Sequence, residues 1–114
     1  MPESNARESV YEEADEVFVS SIVLGELYFG AFKSVRAGDN LRRIEELAAS
    51  TVVLGCDRST ARDYGSLKNR LREKGRPLPD NDVWIAATAR QYALVLVTRD
   101  DHFAEVEDLD REAW

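Results

Sequence analysis

Three acidic residues, Glu26, Asp82 and Asp100, are the side chains of this sequence whose positions could carry chemistry. Glu26 lies in an apolar stretch, where a charged group is costly unless it is paired or bound to a metal. Asp82 opens a helical pattern, where the positive end of the helix dipole favours an anion. Asp100 directly follows an apolar strand pattern. Each also has a simpler reading, as a solvent-facing glutamate, a helix-start anion or a turn residue.

If these carboxylates converge, they repel one another, and their pKa values rise unless a cation neutralises them. The chain has one histidine and one cysteine, which excludes a zinc site built on several of either. Oxygen ligands select Mg²⁺ or Mn²⁺ instead. A carboxylate-bound Mg²⁺ is suited to phosphodiester hydrolysis, because it lowers the pKa of a bound water and screens charge at phosphorus. The residue types therefore favour a metal-dependent nuclease.

Three polar neighbours are candidate supporting residues. Ser21 lies at the start of the helix that carries Glu26, and Asn81 precedes Asp82. Thr98 either holds Asp100 through its hydroxyl or simply ends a strand.

The elements that must position these residues alternate along the chain. Apolar strand patterns lie at 17–20, 51–54 and 94–98, with a weaker one at 108–113. Helical patterns run from Ser20 or Ser21 to about Lys33, from about Asp39 to 48, from a Ser59 cap to Gly75, and over 82–92.

This alternation predicts a parallel sheet with right-handed helical crossovers. Ligands bind beyond the carboxyl ends of the strands in such folds. The topology would bring Glu26, Asp82 and Asp100 to one edge of the sheet.

Composition bounds the function further. A chain of 114 residues, 44% of them hydrophobic, is expected to form a single domain. The net charge of −7 disfavours a basic, sequence-blind DNA binder. Seven bases nevertheless cluster at 58–76, either as a solvated helix face or as a contact to a phosphate backbone. No apolar run approaches the ~20 residues of a membrane span, and the polar N-terminus is unlike a signal peptide, so a cytoplasmic protein is expected.

Three segments in this order resemble motifs of PIN-domain proteins, specifically VapC-type toxins of toxin–antitoxin pairs. They are SSIVLGELYFG (20–30), GRPLPDNDVWIAA (75–87) and LVTRD (96–100). The resemblance implies a three-layer α/β/α fold with a short parallel sheet, formed by a single domain over residues 1–114. It also implies homodimerisation, Mg²⁺- or Mn²⁺-dependent cleavage of RNA, and inhibition by a cognate antitoxin. By motif position, Glu26, Asp82 and Asp100 match the family's acidic residues.

One departure from the family pattern stands out at the N-terminus. The family begins with an apolar strand that ends in an aspartate, whereas this chain has no apolar strand before Val17. The domain is therefore expected to be N-terminally incomplete, lacking the central strand and its acidic ligand, with residues 6–14 as a remnant of the first helix. Either the sequence is truncated or the protein is degenerate. The strands beside the gap would close together, or a partner chain would fill it.

This departure leaves other functions open. Asp80 or Asp101 could replace the missing ligand. A non-catalytic remnant that still binds the antitoxin is the main alternative to an active ribonuclease. An acidic interaction module that shares only the fold is a third possibility.

Overall fold

The computed structural model describes residues 9–13, 16–98 and 101–112. Within them the elements are β1 (Val10–Glu13), β2 (Glu16–Ser20), α1 (Ser21–Phe32), α2 (Ala37–Ser50), β3 (Val52–Leu54), α3 (Arg58–Glu73), α4 (Asp80–Gln91), β4 (Val95–Val97) and β5 (Arg111–Glu112). A short 3₁₀ helix, Asp101–Glu105, lies between β4 and β5.

The strands form one mixed sheet in the order β3-β2-β1-β4-β5. The outer pairs are parallel, β2 with β3 and β4 with β5. The central strand β1 runs antiparallel to both neighbours, with Tyr11 opposite Phe18 on one side and Leu96 on the other. The expected three-layer α/β/α arrangement is confirmed, whereas the expectation of a wholly parallel sheet is wrong.

The central strand corrects the prediction for the N-terminal segment. Residues 10–13 do not belong to a helix, and neither closure of the flanking strands nor a partner chain fills the gap. The chain fills it with its own segment, folded back from β2. Strands β2 and β4 each present backbone N–H and C=O groups that must be paired when buried. One strand inserted between β2 and β4 pairs the backbone groups of both, which a single isolated helical turn could not do.

Most of the predicted elements are confirmed, with shifted ends. Ser20 caps α1, since its hydroxyl accepts a hydrogen bond of 3.1 Å from the backbone N–H of Val23. Helix α3 is capped by Asp57 rather than by the predicted Ser59. Gly75 follows α3 with a φ of +67°, the left-handed conformation that glycine adopts most readily.

Helix α4 is the most deeply buried helix among the described residues, which explains its alanine-rich sequence. Seven of its residues are buried: Asp82, Val83, Ile85, Ala86, Ala87, Thr88 and Ala89. Small side chains allow α4 to pack closely against α3 and the sheet, together with Val19, Leu96 and Phe103 of the core. The core therefore fixes the helix whose first turn carries Asn81 and Asp82.

Candidate functional site

An open cleft with a volume of about 900 Å³ lies along α1 and α2 and reaches the start of α4. Ser21 and Glu26 of α1 line it, and so does Asn81 of α4. Glu26 lies in the second turn of α1 and is partly buried, whereas Asn81 is exposed. Residues from widely separated parts of the sequence thus share one cavity.

Asp82 follows Asn81 in the first turn of α4 and is only 8% exposed. The N-cap residue of α4 is Pro79, which has no side-chain hydrogen bond to the helix. The first N–H groups of a helix lack intrahelical partners, and its positive dipole end stabilises a carboxylate. The structure therefore places a buried carboxylate in the first turn of α4, next in sequence to Asn81, which lines the cleft; Asp82 itself is not among the lining residues.

Thr98 lies at the carboxyl end of β4 and is buried. Its hydroxyl forms a hydrogen bond of 3.1 Å with the hydroxyl of Ser9, the residue before β1. Because β1 is antiparallel, its first residue lies at the edge where β4 ends. Sequence reasoning missed Ser9, since no local pattern distinguishes it. Arg99 and Asp100 lie outside the described residues, and with them the predicted third carboxylate.

Asp80, the possible replacement ligand, is engaged elsewhere. Lys68 Nζ lies 2.8 Å from its Oδ1, and the Tyr64 hydroxyl donates to the same oxygen at 3.1 Å. These bonds, chiefly that from Lys68, lower the pKa of Asp80. The Tyr64 ring stacks on Trp84 with centroids 3.9 Å apart. Asp80 therefore joins α3 to α4 and does not line the cleft. Asp101, the other possible replacement, lies exposed in the 3₁₀ helix.

The basic run at 58–76 is partly neutralised by acidic residues of other elements. Besides Lys68, Lys74 lies 3.7 Å from Glu107, and Arg76 lies 3.9 Å from Glu105. Lys74 also donates to the backbone carbonyl of Glu105 at 2.9 Å. These contacts favour a structural role for at least part of the run.

The donors near the cleft suit a hard cation. Glu26 and Asn81, which line the cleft, and Asp82, the residue after Asn81, carry carboxylate and amide oxygens, the ligands that Mg²⁺ prefers. Over residues 9–13, 16–98 and 101–112, no three His, Cys, Asp or Glu side chains are grouped closely enough to hold a metal. Completing a three-carboxylate site would require Asp100. In the same residues, no helix is both long and apolar enough to cross a membrane.

Comparison of the sequence with known protein families shows which family the chain belongs to. The PIN-domain family model matches residues 2–109, nearly the whole chain. The chain belongs to the PIN-domain family. Within it, the chain is 35% identical over 104 residues to "Ribonuclease VapC2" of Haemophilus influenzae, covering 90% of this chain and 79% of that protein. It is 33% identical to the "tRNA(fMet)-specific endonuclease VapC" of Shigella flexneri, covering 97% of this chain and 85% of the relative.

Solved VapBC structures have a similar fold. The VapBC-1 structure from nontypeable Haemophilus influenzae matches with a TM-score of 0.83 and 34% identity, covering 90% of this chain and 78% of that one. The DNA-bound VapBC structure from Salmonella typhimurium matches with a TM-score of 0.82 and 34% identity, covering 85% and 74%. The predicted relationship to VapC-type toxins is therefore confirmed.

Proposed function

We propose that this PIN-domain chain is a VapC-type endoribonuclease that hydrolyses RNA phosphodiester bonds with Mg²⁺ or Mn²⁺. The observation that carries the proposal is the meeting of Glu26 from α1 with Asn81 from α4 in one cleft, with the buried Asp82 next to Asn81 in sequence. Similar proteins named as ribonucleases support the same activity.

Glu26, Asp82 and Asp100 are the residues that would hold the cation. A bound divalent ion would lower the pKa of a water and screen the charge that develops on phosphorus. The exposed Asn81 side chain can donate its amide N–H to a phosphate oxygen, and the Ser21 hydroxyl offers a second polar contact in the same cleft.

A protein partner is part of this proposal. The similar solved structures are of VapBC, and one of them, VapBC-5 from Mycobacterium tuberculosis, is a member of the VapBC family of toxin–antitoxin systems. We infer that the chain is the toxin of such a pair, inhibited by a cognate antitoxin. A homodimer acting on RNA in the cytoplasm is the assembly and location that we propose with it.

A second function, antitoxin binding without catalysis, is favoured by one specific observation. The central strand runs antiparallel, and the residue that it presents at the end of β4 is Ser9, whose hydroxyl bonds to Thr98. A hydroxyl is a weaker ligand for Mg²⁺ than the carboxylate found in the family pattern. Such a chain could keep its binding surface and lose turnover.

Cleavage of RNA by the purified chain, with and without Mn²⁺ or Mg²⁺, tests the first function. Asp82→Asn and Glu26→Gln should each lower the cleavage rate by at least about 100-fold, because even outer-shell partners of a metal are worth 10–100-fold. Asp80→Asn is the matched control and should retain the wild-type rate, since Asp80 contacts Lys68 instead. Equal rates for the wild type and Asp82→Asn would contradict the site assignment.

Calorimetry separates the second function from the first. An active toxin should take up Mn²⁺ and bind the antitoxin encoded beside it. Antitoxin binding without metal uptake or RNA cleavage would establish the non-catalytic alternative.

A further inference from the structure

We propose that Tyr64 of α3 is a positioning residue for the candidate site, because it holds the first turn of α4 and thereby sets the orientation of Asn81 and Asp82. This proposal rests on the proposed ribonuclease function and adds a residue that acts through the helix rather than by contact with RNA. It is carried by two contacts of one side chain, which meet α4 before and after Asp82 in sequence.

The start of α4 has little to hold it within the helix itself. The first N–H groups of a helix have no intrahelical acceptor, and a side-chain cap normally supplies one. The N-cap residue here is Pro79, which makes no side-chain hydrogen bond to the helix. A backbone bond of 3.1 Å, from the N–H of Val83 to the carbonyl of Pro79, closes the turn. Because helix ends fray, a neighbouring element is needed to fix the turn that carries Asn81 and Asp82.

The hydroxyl of Tyr64 reaches the first residue of α4. It donates a hydrogen bond of 3.1 Å to Oδ1 of Asp80, two residues before Asp82. Lys68, one turn farther along α3, donates to the Tyr64 hydroxyl at 3.1 Å and to the same Asp80 oxygen at 2.8 Å. The hydroxyl thus acts as both donor and acceptor. An asparagine at position 80 would keep the accepting oxygen, so Asp80→Asn is expected to leave this link and the cleavage rate unchanged.

The ring of Tyr64 contacts the same part of α4 farther along. It stacks on Trp84, two residues after Asp82, with ring centroids 3.9 Å apart and ring planes 14° from parallel. Both side chains are half-buried, whereas Asp80 and Lys68 are exposed. Exposed ion pairs contribute little, while a stacked aromatic pair adds to the burial of apolar surface. The stack is therefore the stronger of the two contacts.

The two contacts fix the direction of Asp82. Asp80 and Trp84 are four residues apart, so they lie on one face of α4, the face that contacts Tyr64. Asp82 is two residues from each, which is about 200° around the helix. Its side chain is buried on that other side. The first turn cannot rotate or unwind without losing a contact to Tyr64, and any such movement would redirect Asp82.

The test compares Tyr64→Leu with Tyr64→Phe in steady-state cleavage of a short fluorogenic RNA in Mn²⁺. Tyr64→Leu loses both contacts and should lower kcat about 10- to 100-fold, since a displacement of about 1 Å can cost about 100-fold. KM should stay within about twofold of the wild type, because Tyr64 does not line the cleft. Tyr64→Phe keeps the stacked ring and should retain at least about a third of the wild-type kcat.

Amide hydrogen exchange of the metal-free protein measures the hold on α4 directly. A peptide spanning residues 79–86 should exchange about fivefold or more faster in Tyr64→Leu than in the wild type, because the first turn opens more often. The same peptide in Tyr64→Phe should exchange nearly as slowly as in the wild type.

Gln91→Ala is the matched control, because Gln91 joins α4 to α3 at the opposite end of the helix. The Gln91 side-chain amide donates to Oδ1 of Asp57 at 2.8 Å and accepts a hydrogen bond from the Thr60 hydroxyl. Loss of this link should lower the Tm, as in Tyr64→Leu. It should leave kcat and the exchange of residues 79–86 within about twofold of the wild type, since the opening that it promotes lies at the far end of α4.

A second variant covers the case in which circular dichroism shows that Tyr64→Leu does not fold. Tyr64→Phe combined with Lys68→Met removes both hydrogen bonds to Asp80 and keeps the stacked ring. This double variant should lower kcat about three- to fivefold, the effect of about one net hydrogen bond on the hold of the turn. A wild-type kcat in the double variant would then overturn the proposal.

The other outcomes separate the positioning role from the ribonuclease function. Equal losses of kcat in Gln91→Ala and Tyr64→Leu, or a raised KM with unchanged kcat in Tyr64→Leu, would overturn the positioning role. If the wild type cleaves no RNA, the ribonuclease function fails, and the exchange of residues 79–86 alone decides whether Tyr64 holds the turn. If the wild type cleaves RNA and Tyr64→Leu keeps both its kcat and its slow exchange, the ribonuclease function stands and the positioning role fails.

Discussion

The Tyr11 hydroxyl donates a hydrogen bond of 2.7 Å to the backbone carbonyl of Ile85, which joins the central strand to the middle of α4. Tyr11 is fully buried, and Ile85 is nearly so. Helix α4 carries Asn81 and Asp82 in its first turn. The strand that replaces the expected one therefore also helps to hold the helix of the candidate site.

Tyr11→Phe should lower the free energy of unfolding by about 1 kcal/mol, the usual net contribution of one intramolecular hydrogen bond. The ring would keep its packing, while the carbonyl of Ile85 would lose a partner. Urea unfolding measures this change in the free energy of unfolding, and an unchanged m-value is expected. A variant as stable as the wild type would show that β1 is not tied to α4 in this way.

Tyr11 should also make stability fall at alkaline pH. Burial raises its pKa well above the ordinary value, although hydrogen bonding with Ser20 and Thr88 opposes the shift. A raised pKa in the folded state contributes stability that is complete below the unfolded pKa of about 10 and is lost as the pH rises above it. The stability difference between the wild type and Tyr11→Phe should therefore shrink from pH 9 to pH 11. A constant difference over that range would contradict a buried phenol.

Asp57 should stabilise the start of α3 at neutral pH and lose this effect in acid. The backbone N–H of Thr60, then the Gln91 amide, lowers the pKa of Asp57 by hydrogen bonding to its carboxylate. A lowered pKa in the folded state contributes stability above the unfolded pKa, about 3.9, which disappears as the pH falls through the folded value.

Thermal unfolding checks this assignment. Asp57→Ala should have a lower Tm than the wild type at pH 7, and the gap should narrow towards pH 3. Ser59→Ala, at the cap position expected from the sequence, should keep the wild-type Tm at both pH values. A lower Tm for Ser59→Ala, together with an unchanged Tm for Asp57→Ala, would instead identify Ser59 as the cap.

Gly30→Ala should raise the free energy of unfolding by about 0.5–1 kcal/mol. A Cβ atom at this helical position would meet nothing within 4 Å beyond its chain neighbours and the backbone of its own helix, so the gain in helix propensity carries no steric cost. Gly75→Ala should instead destabilise the chain, since its φ is +67°. Chemical denaturation measures the change in the free energy of unfolding for each variant. A destabilised Gly30→Ala would show that glycine is required at that position.

Much of the fold was predictable because its signals are local. The apolar runs that became β2, β3 and β4 and the helical spacing of α1, α3 and α4 depend on residues near one another in sequence. The cap of α3 was misplaced by two residues, because Asp57 and Ser59 are both good caps locally. Gln91 of α4, which donates to Asp57 at 2.8 Å, is distant in sequence and favours Asp57.

The candidate site, like the fold, was only partly predictable from the sequence. Residue type and motif order singled out Glu26 and Asp82, and the structure places Glu26 and Asn81 in one cleft. That Glu26, Asp82 and Asp100 hold a metal stays a prediction, with Asp100 outside the described residues. No pattern distinguished Arg42 from Arg43, because only the folded structure shows that Asp39 lies 3.4 Å from Arg42, whereas no ion pair joins Arg43 to another described residue.

The sequence by itself determined the apolar periodicity, the order of the elements and the oxygen-rich chemistry of the acidic residues, since these are properties of side chains and their near neighbours. Only the tertiary structure decided that residues 10–13 form the central strand and run antiparallel. So short a segment has little conformational preference of its own. Its conformation follows from the unpaired backbone groups of β2 and β4 on either side and from the burial of Tyr11 against α4.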